Sequence, residues 1–569
     1  MASAKAKVLI PEKVSADGLL LLKETLEIDE RKGLTAEQLL EIIPDYEALI
    51  VRSETKVTAE LLAAGKKLKV VARAGVGVDN VDVVAATKLG IIVVNSPAGN
   101  INAAAEHTVA LMMASARNVT EGCANIKEGK WERSKFTGVE LKGKTLAIVG
   151  AGKVGLTVAR IANGFGMNII AYDPYANASL CAAASVTLKD SLDELLKAAD
   201  FFTIHTPLIA STKGMISSAE LSKMKPTARI LNVARGGMID ETALLQALEA
   251  GTIAGAGIDV FTSEPPTEDS TAAALIAHPK VVATPHLGAS TREAQENVSI
   301  DVCEQVILIL SGALPRSAVN APLILPEEYR TLAPFVQLVE RMGSLYTQHY
   351  GNRLGASGKD FRTTFDLTYE GSLANLNTTK PLFAALVKGL LTPISSPVDQ
   401  NVNIVNAELV AKERGILINE ARSREKAEEE GFTSFVALRA RSSRSSSLPP
   451  TPSVSGKPPR DQVIQGYVSG GQPYISRLGR FRADFVLDGN LLICRNFDSP
   501  GKIGTVGMVL GKSGININFM AVAPLEFGAP GEGDNEALMI LKVDPVPEKA
   551  VIERLISEEG VLEASVVAL

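Results

Sequence analysis

The chain has 569 residues, 46% of them hydrophobic, and a formal net charge of -6, so it holds material for several cores and roughly four domains by length alone. Aromatic residues make up only 5% and no dense basic tract occurs, which leaves out the electrostatic footprint of a nucleic-acid binder. Cys123, Cys181, Cys303 and Cys494 are far apart with no CxxC pair, against a zinc site or disulfide framework, and no run reaches the ~20 apolar residues of a membrane span.

The opening MASAKAKVLI runs straight into an apolar strand with no Arg/Ser-rich or hydrophobic leader, so a cytoplasmic protein is expected. Residues 1 to about 100 then alternate helical patterns with short apolar runs, KVLI, ALIVR, KVVARAG and IIVVN, as buried parallel strands with helical crossovers do. INAAAEHTVALMMASARN predicts a long small-residue helix over 101–118 with Asn102 as its N-cap, suited to close packing inside the chain or against a second copy.

A second α/β series runs from LAIVG through NIIAYD, FFTIHTPL, RILNVARGG, GAGIDVF and VVATPH, the alternation of a doubly wound parallel sheet. Its first turn is Gly150-Ala151-Gly152-Lys153-Val154-Gly155, directly after an apolar strand and opening a helix. Glycine at the first two positions permits the tight turn and the approach of a pyrophosphate to the helix amides, and the third permits helix–strand packing. Asp173 ends the next strand at the spacing that accepts from a ribose 2′-hydroxyl and repels a 2′-phosphate, so NAD is expected rather than NADP.

Three segments follow in order, NVARGG, GIDVFTSEP and ATPHLGAS, carrying Arg235, Glu264 and His286. The guanidinium fork of an arginine matches a carboxylate. A carboxylate beside an imidazole fixes its tautomer and favours its protonated form. If the three converge, they can move a proton beside a hydride transfer, with no metal. A helical pattern over about 290–312 then carries the chain back toward the first domain, giving two crossings and a hinge.

Residues 330–480 read as mixed α/β, with strand candidates RTTFDLTY and FTSFVALRA, and contain the Ser/Pro-rich 441–461, expected to be a disordered insertion. From about 480 the pattern is βαββαβ.

NVARGGMID, GIDVFTSEPP and TPHLGAST resemble, in order and spacing, the signature blocks of the D-isomer-specific 2-hydroxyacid dehydrogenases. VRSETKVT, ARAGVGVDNVD, VVNSPAGN, GKWERSKFTGVELKGKTLAIVG and the C-terminal extension resemble the long-form branch that oxidises 3-phosphoglycerate, the entry to serine biosynthesis. The resemblance implies an α/β fold with two Rossmann-like or flavodoxin-like parallel-sheet domains, followed by an α+β intervening domain and an ACT domain. The expected boundaries are 1–100 with 287–325 for substrate binding, 101–286 for NAD, 326–480 for the intervening domain and 481–569 for the ACT domain.

By position, the resemblance implies that Arg235 orients the substrate, His286 is the general acid/base and Glu264 tunes it. It also implies cofactor contacts from Lys153, Val154, Thr206, Ala234, Asp259, Gly288 and Ala289, with Asp259 on the nicotinamide carboxamide. His205 is expected to be structural or cofactor-adjacent, and His107 and His278 structural. A phosphorylated substrate needs further cations: Arg52 and Arg73 after apolar strands, with Asn100 and the amides of Gly75 and Val76 near the carboxylate. Arg133 and, less so, Lys135 would reach a neighbouring subunit's substrate, making the protein a homo-oligomer, dimer or tetramer. In the ACT domain Asn496, Asp498 and Asn516 match positions that hold L-serine in relatives, implying a serine effector. Two other readings stand at this point: a dehydrogenase of glycerate, lactate or 2-hydroxyglutarate, and a corepressor-like scaffold that senses NAD.

Overall fold

The computed structural model describes residues 5–313, 315–322, 324–351, 363–395, 401–423, 434–441, 462–525 and 536–569. Apart from Arg441, the Ser/Pro-rich insertion lies outside the described residues.

The first sheet contains β1 (Lys7–Ile10), β2 (Glu27–Glu30), β3 (Ala48–Val51), β4 (Val70–Arg73) and β5 (Ile92–Asn95). Its order is β2-β1-β3-β4-β5, all parallel. The inner strands are apolar on both faces because both are covered. Val8, Ile10 and Ile50 pack with Val298, Val302 and Val306 of the helix Arg292–Leu310, and Leu9, Leu49 and Val71 pack with Leu39 and Leu61 on the other side. That returning helix is where the sequence pattern expects it. The edge strand β2 reads EIDE and carries no apolar signal.

The second sheet contains β6 (Thr145–Val149), β7 (Asn168–Tyr172), β8 (Thr187–Leu188), β9 (Phe201–Ile204), β10 (Arg229–Asn232), β11 (Gly255–Ile258) and β12 (Val281–Ala283). The order β12-β11-β10-β9-β6-β7-β8 is parallel throughout, and the chain reverses direction across the sheet between β6 and β9. Such a switch leaves a crevice at the carboxyl ends of the strands, where doubly wound folds bind ligands.

The helix Ile101–Arg117 joins the two sheets and buries Leu111 and Met112 against Leu146 and Leu231. Asn100, not Asn102, holds its N-cap position, without a side-chain cap bond. Asn102 already lies in the first turn, one residue inside the helix.

The third sheet, ordered β14-β13-β15-β16-β17-β18, consists of β13 (Thr364–Gly371), β14 (Leu417–Ser423), β15 (Ser434–Ala440), β16 (Gln462–Ser469), β17 (Gln472–Leu478) and β18 (Phe481–Val486). Only the β13–β14 pair is parallel. Because β18 belongs here, the terminal module begins at Asn490. That module has β19 (Asn490–Phe497), β20 (Asn516–Pro524), β21 (Glu536–Asp544) and β22 (Val561–Ala568) with a helix after β19 and after β21. Its order β20-β21-β19-β22 is the split βαβ arrangement.

Two polar junctions tie the modules together. Asn401 and Asn403 donate to the carbonyls of Leu89 and Gly90 at 2.9 and 2.6 Å, docking the third module on the first. Arg495 pairs with Glu536 and Glu563, each at 2.8 Å, and Arg480 reaches Glu536 at 3.0 Å, joining the third and fourth sheets. Among the described residues no helix is long and apolar enough to cross a membrane.

Candidate active site

The glycine turn after β6 lies at the switch point. Gly150 has φ 93°, and a Cβ there would stand 2.5 Å from the His205 carbonyl oxygen and 2.8 Å from Thr206 Cγ2. Gly155 faces the Gly150 carbonyl so closely that no side chain fits between them. Gly152, by contrast, meets no protein atom within 4 Å. It sits at the N-cap of the helix Lys153–Asn163 with no side-chain cap, so that helix end is open. Lys153 and Val154 form its first turn. Asp173 Oδ2 accepts from the Ala151 amide at 2.9 Å and Oδ1 from the Tyr175 amide at 2.8 Å, which fixes the carboxylate beside the loop with lone pairs to spare. An open helix N-terminus after a glycine turn, with a carboxylate fixed at the end of the next strand, is an arrangement that fits a dinucleotide.

Arg235 leaves the end of β10 on a turn stapled by Asn232. The buried Asn232 amide donates to the Arg235 carbonyl at 2.8 Å and its oxygen accepts from Ala234 N at 3.0 Å. The guanidinium donates from Nη1 to the Ala234 carbonyl at 2.7 Å and from Nε to Asp79 at 3.0 Å. Its Nη2 lies so close to Gly77 that any larger residue there would displace it.

His286 has φ 53°, the left-handed region, where a non-glycine residue costs about 1–3 kcal/mol. Asp259 supports that backbone. It is fully buried and accepts from the Leu287 amide at 2.7 Å and Thr284 Oγ1 at 2.5 Å through Oδ1, and from the Gly288 amide at 2.8 Å through Oδ2. His107 Nε2 adds a contact to Asp259 at 3.2 Å and to Thr284 at 3.0 Å, so it braces the turn that carries His286. Burial pushes the Asp259 carboxyl up, but bonds from His107, Thr284, Leu287 and Gly288 prevail and hold it below the usual range. Asp259 therefore spends three contacts at Oδ1 and one at Oδ2 on holding the loop and His107. Ala289 follows on the same turn and is partly exposed.

Glu264 Oε2 lies 2.7 Å from His286 Nδ1, and Oε1 accepts from the Phe261 amide at 2.9 Å. Burial again raises the Glu264 carboxyl, while His286 and the amide bring it below its ordinary value. An ionised Glu264 can only accept, so Nδ1 carries the proton and Nε2 has the free lone pair. A cavity of about 370 Å³, with Phe261, Pro265 and Ile276 among its walls, backs the pair.

The cations come from both sheets. Burial, followed by repulsion from Arg235, pushes Arg73 down to about 10, and Arg52 adds to the effect. This crowding places the three arginines in one electrostatic neighbourhood. The guanidinium of Arg73 lies against Gly75, whose φ of 155° suits glycine, and its buried Nε has no partner among the described residues. The Gly75 amide is committed to the Arg73 carbonyl at 2.8 Å, which leaves the Val76 amide for a ligand. Asn100 does not use its side chain as a cap.

Other expected site residues do not join this cluster. Arg133 is exposed on the one-turn helix Arg133–Phe136, where Lys135 pairs with Glu132 at 2.7 Å. Asn496 is 2% exposed with an unpartnered Oδ1, and Asp498 follows on the surface. Asn516 pairs in register with Asp544, whereas Asn496 pairs with Ala537, so they stand at opposite ends of β21, roughly 20 Å apart at ~3.3 Å per residue. A single chain does not bring the three together.

Residues 109–288 match the family model of the D-isomer specific 2-hydroxyacid dehydrogenase, NAD binding domain, and residues 331–456 match the D-3-phosphoglycerate dehydrogenase intervening domain. The chain is 43% identical over 552 residues to D-3-phosphoglycerate dehydrogenase 2, chloroplastic, of Arabidopsis thaliana, covering 97% of this chain and 85% of that one. It is 38% identical over 565 residues to D-3-phosphoglycerate dehydrogenase of Archaeoglobus fulgidus, covering 99% and 100%. Among solved structures, a glyoxylate reductase from Paecilomyes thermophila superposes with a TM-score of 0.51 at 32% identity, covering 58% of this chain and 100% of that one.

Proposed function

The chain belongs to the D-3-phosphoglycerate dehydrogenases, within the D-isomer specific 2-hydroxyacid dehydrogenases, and from that we propose that Arg235, Glu264 and His286 act together on C2 of 3-phosphoglycerate. The reaction is the NAD-dependent oxidation of D-3-phosphoglycerate to 3-phosphohydroxypyruvate, the first step of serine biosynthesis. The membership decides against a corepressor-like scaffold and against an unphosphorylated hydroxy acid as the main substrate.

Bound NAD supplies the acceptor for the C2 hydride, and Gly150, Gly152, Gly155 and Asp173 would hold its pyrophosphate and ribose. His286 takes the C2 hydroxyl proton at Nε2 as the hydride departs, and returns it in the reverse direction. Glu264 keeps the ring in the tautomer that leaves Nε2 free and compensates its charge once protonated. Arg235 holds the substrate carboxylate and carbonyl oxygen, while Arg52 and Arg73 meet the phosphate. The observation that carries this reading is the 2.7 Å His286–Glu264 pair, supported by Arg52, Arg73 and Arg235 from two sheets, which lie close enough to repel one another. NADH formation with 3-phosphoglycerate against D-glycerate tests it. Strong preference for the phosphorylated acid is expected, and equal kcat/KM for the two would contradict the phosphate role of the arginines.

The finer assignments belong to the same proposal. Arg133 would serve the active site of a second copy, making the protein a dimer or tetramer with a cytoplasmic location like that expected for its bacterial and archaeal relatives. The terminal module would act as an ACT domain and bind L-serine between two copies, which the separation of Asn496 and Asn516 within one chain requires. Mass measurement in solution and serine titration of Asp498→Ala check these points; inhibition unchanged by the substitution would rule out that effector site.

A further inference from the structure

The turn that carries Arg52 is held by two side chains that the mechanism does not use. Glu12, only 7% exposed, follows β1, and β1 lies beside β3, whose end leads into residues 52–55. Through Oε1 it accepts from the amides of Arg52 at 2.9 Å and Thr55 at 3.0 Å, and through Oε2 from Glu54 at 3.2 Å. From the other side, Asn80 Nδ2 donates to the carbonyls of Arg52 at 2.8 Å and Thr55 at 2.7 Å. The Asn80 carbonyl also receives the Val57 amide at 2.8 Å. A buried carboxylate is costly unless its lone pairs are filled, and here backbone amides fill them. Glu12 is thereby kept from pairing with the arginines beside it, and neither Arg52 nor Arg73 makes an ion pair with another described residue. The turn is pinned from both sides, and its cations stay available to an incoming anion.

We propose that Glu12, assisted by Asn80, is a positioning residue that sets the preference for a phosphorylated substrate by fixing the 52–55 turn and with it Arg52. This rests on the reading that Arg52 meets the substrate phosphate. A residue that merely stabilises the fold would lower melting temperature and leave discrimination alone, whereas a positioning residue changes KM for the phosphorylated acid selectively.

The test is steady-state kinetics of full-length Glu12→Gln, Asn80→Ala, the double variant and Arg52→Gln with 3-phosphoglycerate and with D-glycerate, alongside NADH affinity and thermal unfolding. Glutamine keeps an oxygen for Arg52 and Thr55 but turns an NH2 group toward the Glu54 amide. Losing a hydrogen bond to a charged group should raise KM for 3-phosphoglycerate about tenfold with kcat and NADH affinity nearly unchanged. The kcat/KM for D-glycerate should stay within about twofold, and the double variant should show less than the product of the single effects because both residues hold one turn. If Glu12→Gln fails to fold, Asn80→Ala carries the same expectation. Equal losses on both substrates, or a lower melting temperature with unchanged KM, would overturn the proposal. Should Arg52→Gln itself keep the phosphate preference, the underlying reading of Arg52 falls, and the role of Glu12 falls with it; if only the Glu12 and Asn80 variants keep it, the role of Arg52 stands alone.

Discussion

Asp79 Oδ2 lies 3.0 Å from Arg235 Nε, an ion pair that crosses the cleft from the loop after β4 to the loop after β10. The carboxylate is 67% exposed and the guanidinium 28%, so the bond is solvent-screened and exchangeable. Asp79 occupies a corner of the donor fork that, under the proposed role of Arg235, the substrate carboxylate would need.

Asp79→Asn should therefore lower KM for 3-phosphoglycerate, by about threefold at low ionic strength and less at high salt, because exposed charges are screened over a Debye length of about 10 Å at 0.1 M. Substrate titration at two salt concentrations checks this. A higher KM with a lower kcat would mean that Asp79 aims Arg235 instead of competing for it.

The glycines of the cofactor turn should separate in a paired measurement. Gly152 faces open space, so Gly152→Ala should melt like the parent and yet weaken NADH binding about tenfold, because the methyl group meets only the incoming pyrophosphate. Gly155 abuts the Gly150 carbonyl, so Gly155→Ala should cost about 1–3 kcal/mol of stability as well. Fluorescence titration of NADH with thermal unfolding gives both numbers, and a Gly152→Ala protein with parental affinity would contradict the assigned pyrophosphate position.

His205 predicts an acid-side stability change. Burial pushes its imidazole from 6.5 down to about 4, and its Nε2 lies 3.0 Å from Thr203 Oγ1. Below 6.5 the unfolded chain takes up a proton that the folded chain refuses, so stability is full above that pH and falls as pH drops toward 4. Melting curves of His205→Asn over this window should show a shallower decline than the parent. Parallel curves would show that His205 is not the group responsible.

Much of this architecture was legible because buried parallel strands are written as apolar runs. KVLI, ALIV, VVAR and IVVN are strands of the first sheet, and the second sheet follows its six apolar segments. What escaped was structure without an apolar signal. EIDE pairs as β2 without an apolar run, and Phe481–Val486 joins the third sheet by long-range pairing that no local pattern announces. The helix cap lies two residues before the expected one because Asn100 and Asn102 are the same residue type, and only backbone geometry separates them. In the site, residue types flagged Arg235, Glu264 and His286, but not the props. Glu12, Asp79 and Asn80 are ordinary polar residues until the sheet order brings β1, β3 and β4 together. The left-handed backbone of His286, held by Asp259 and His107, depends on contacts more than 100 positions apart in the chain for His107, which single-sequence patterns do not encode.

The most direct test of the proton-transfer role is single-turnover NADH formation from 3-phosphoglycerate by His286→Asn, measured beside NADH affinity. With the base removed and the cofactor site intact, the rate should fall by about 10²- to 10⁴-fold while NADH binds as in the parent. A rate within about threefold of the parent, smaller than the general acid–base contribution, would contradict the assignment of His286.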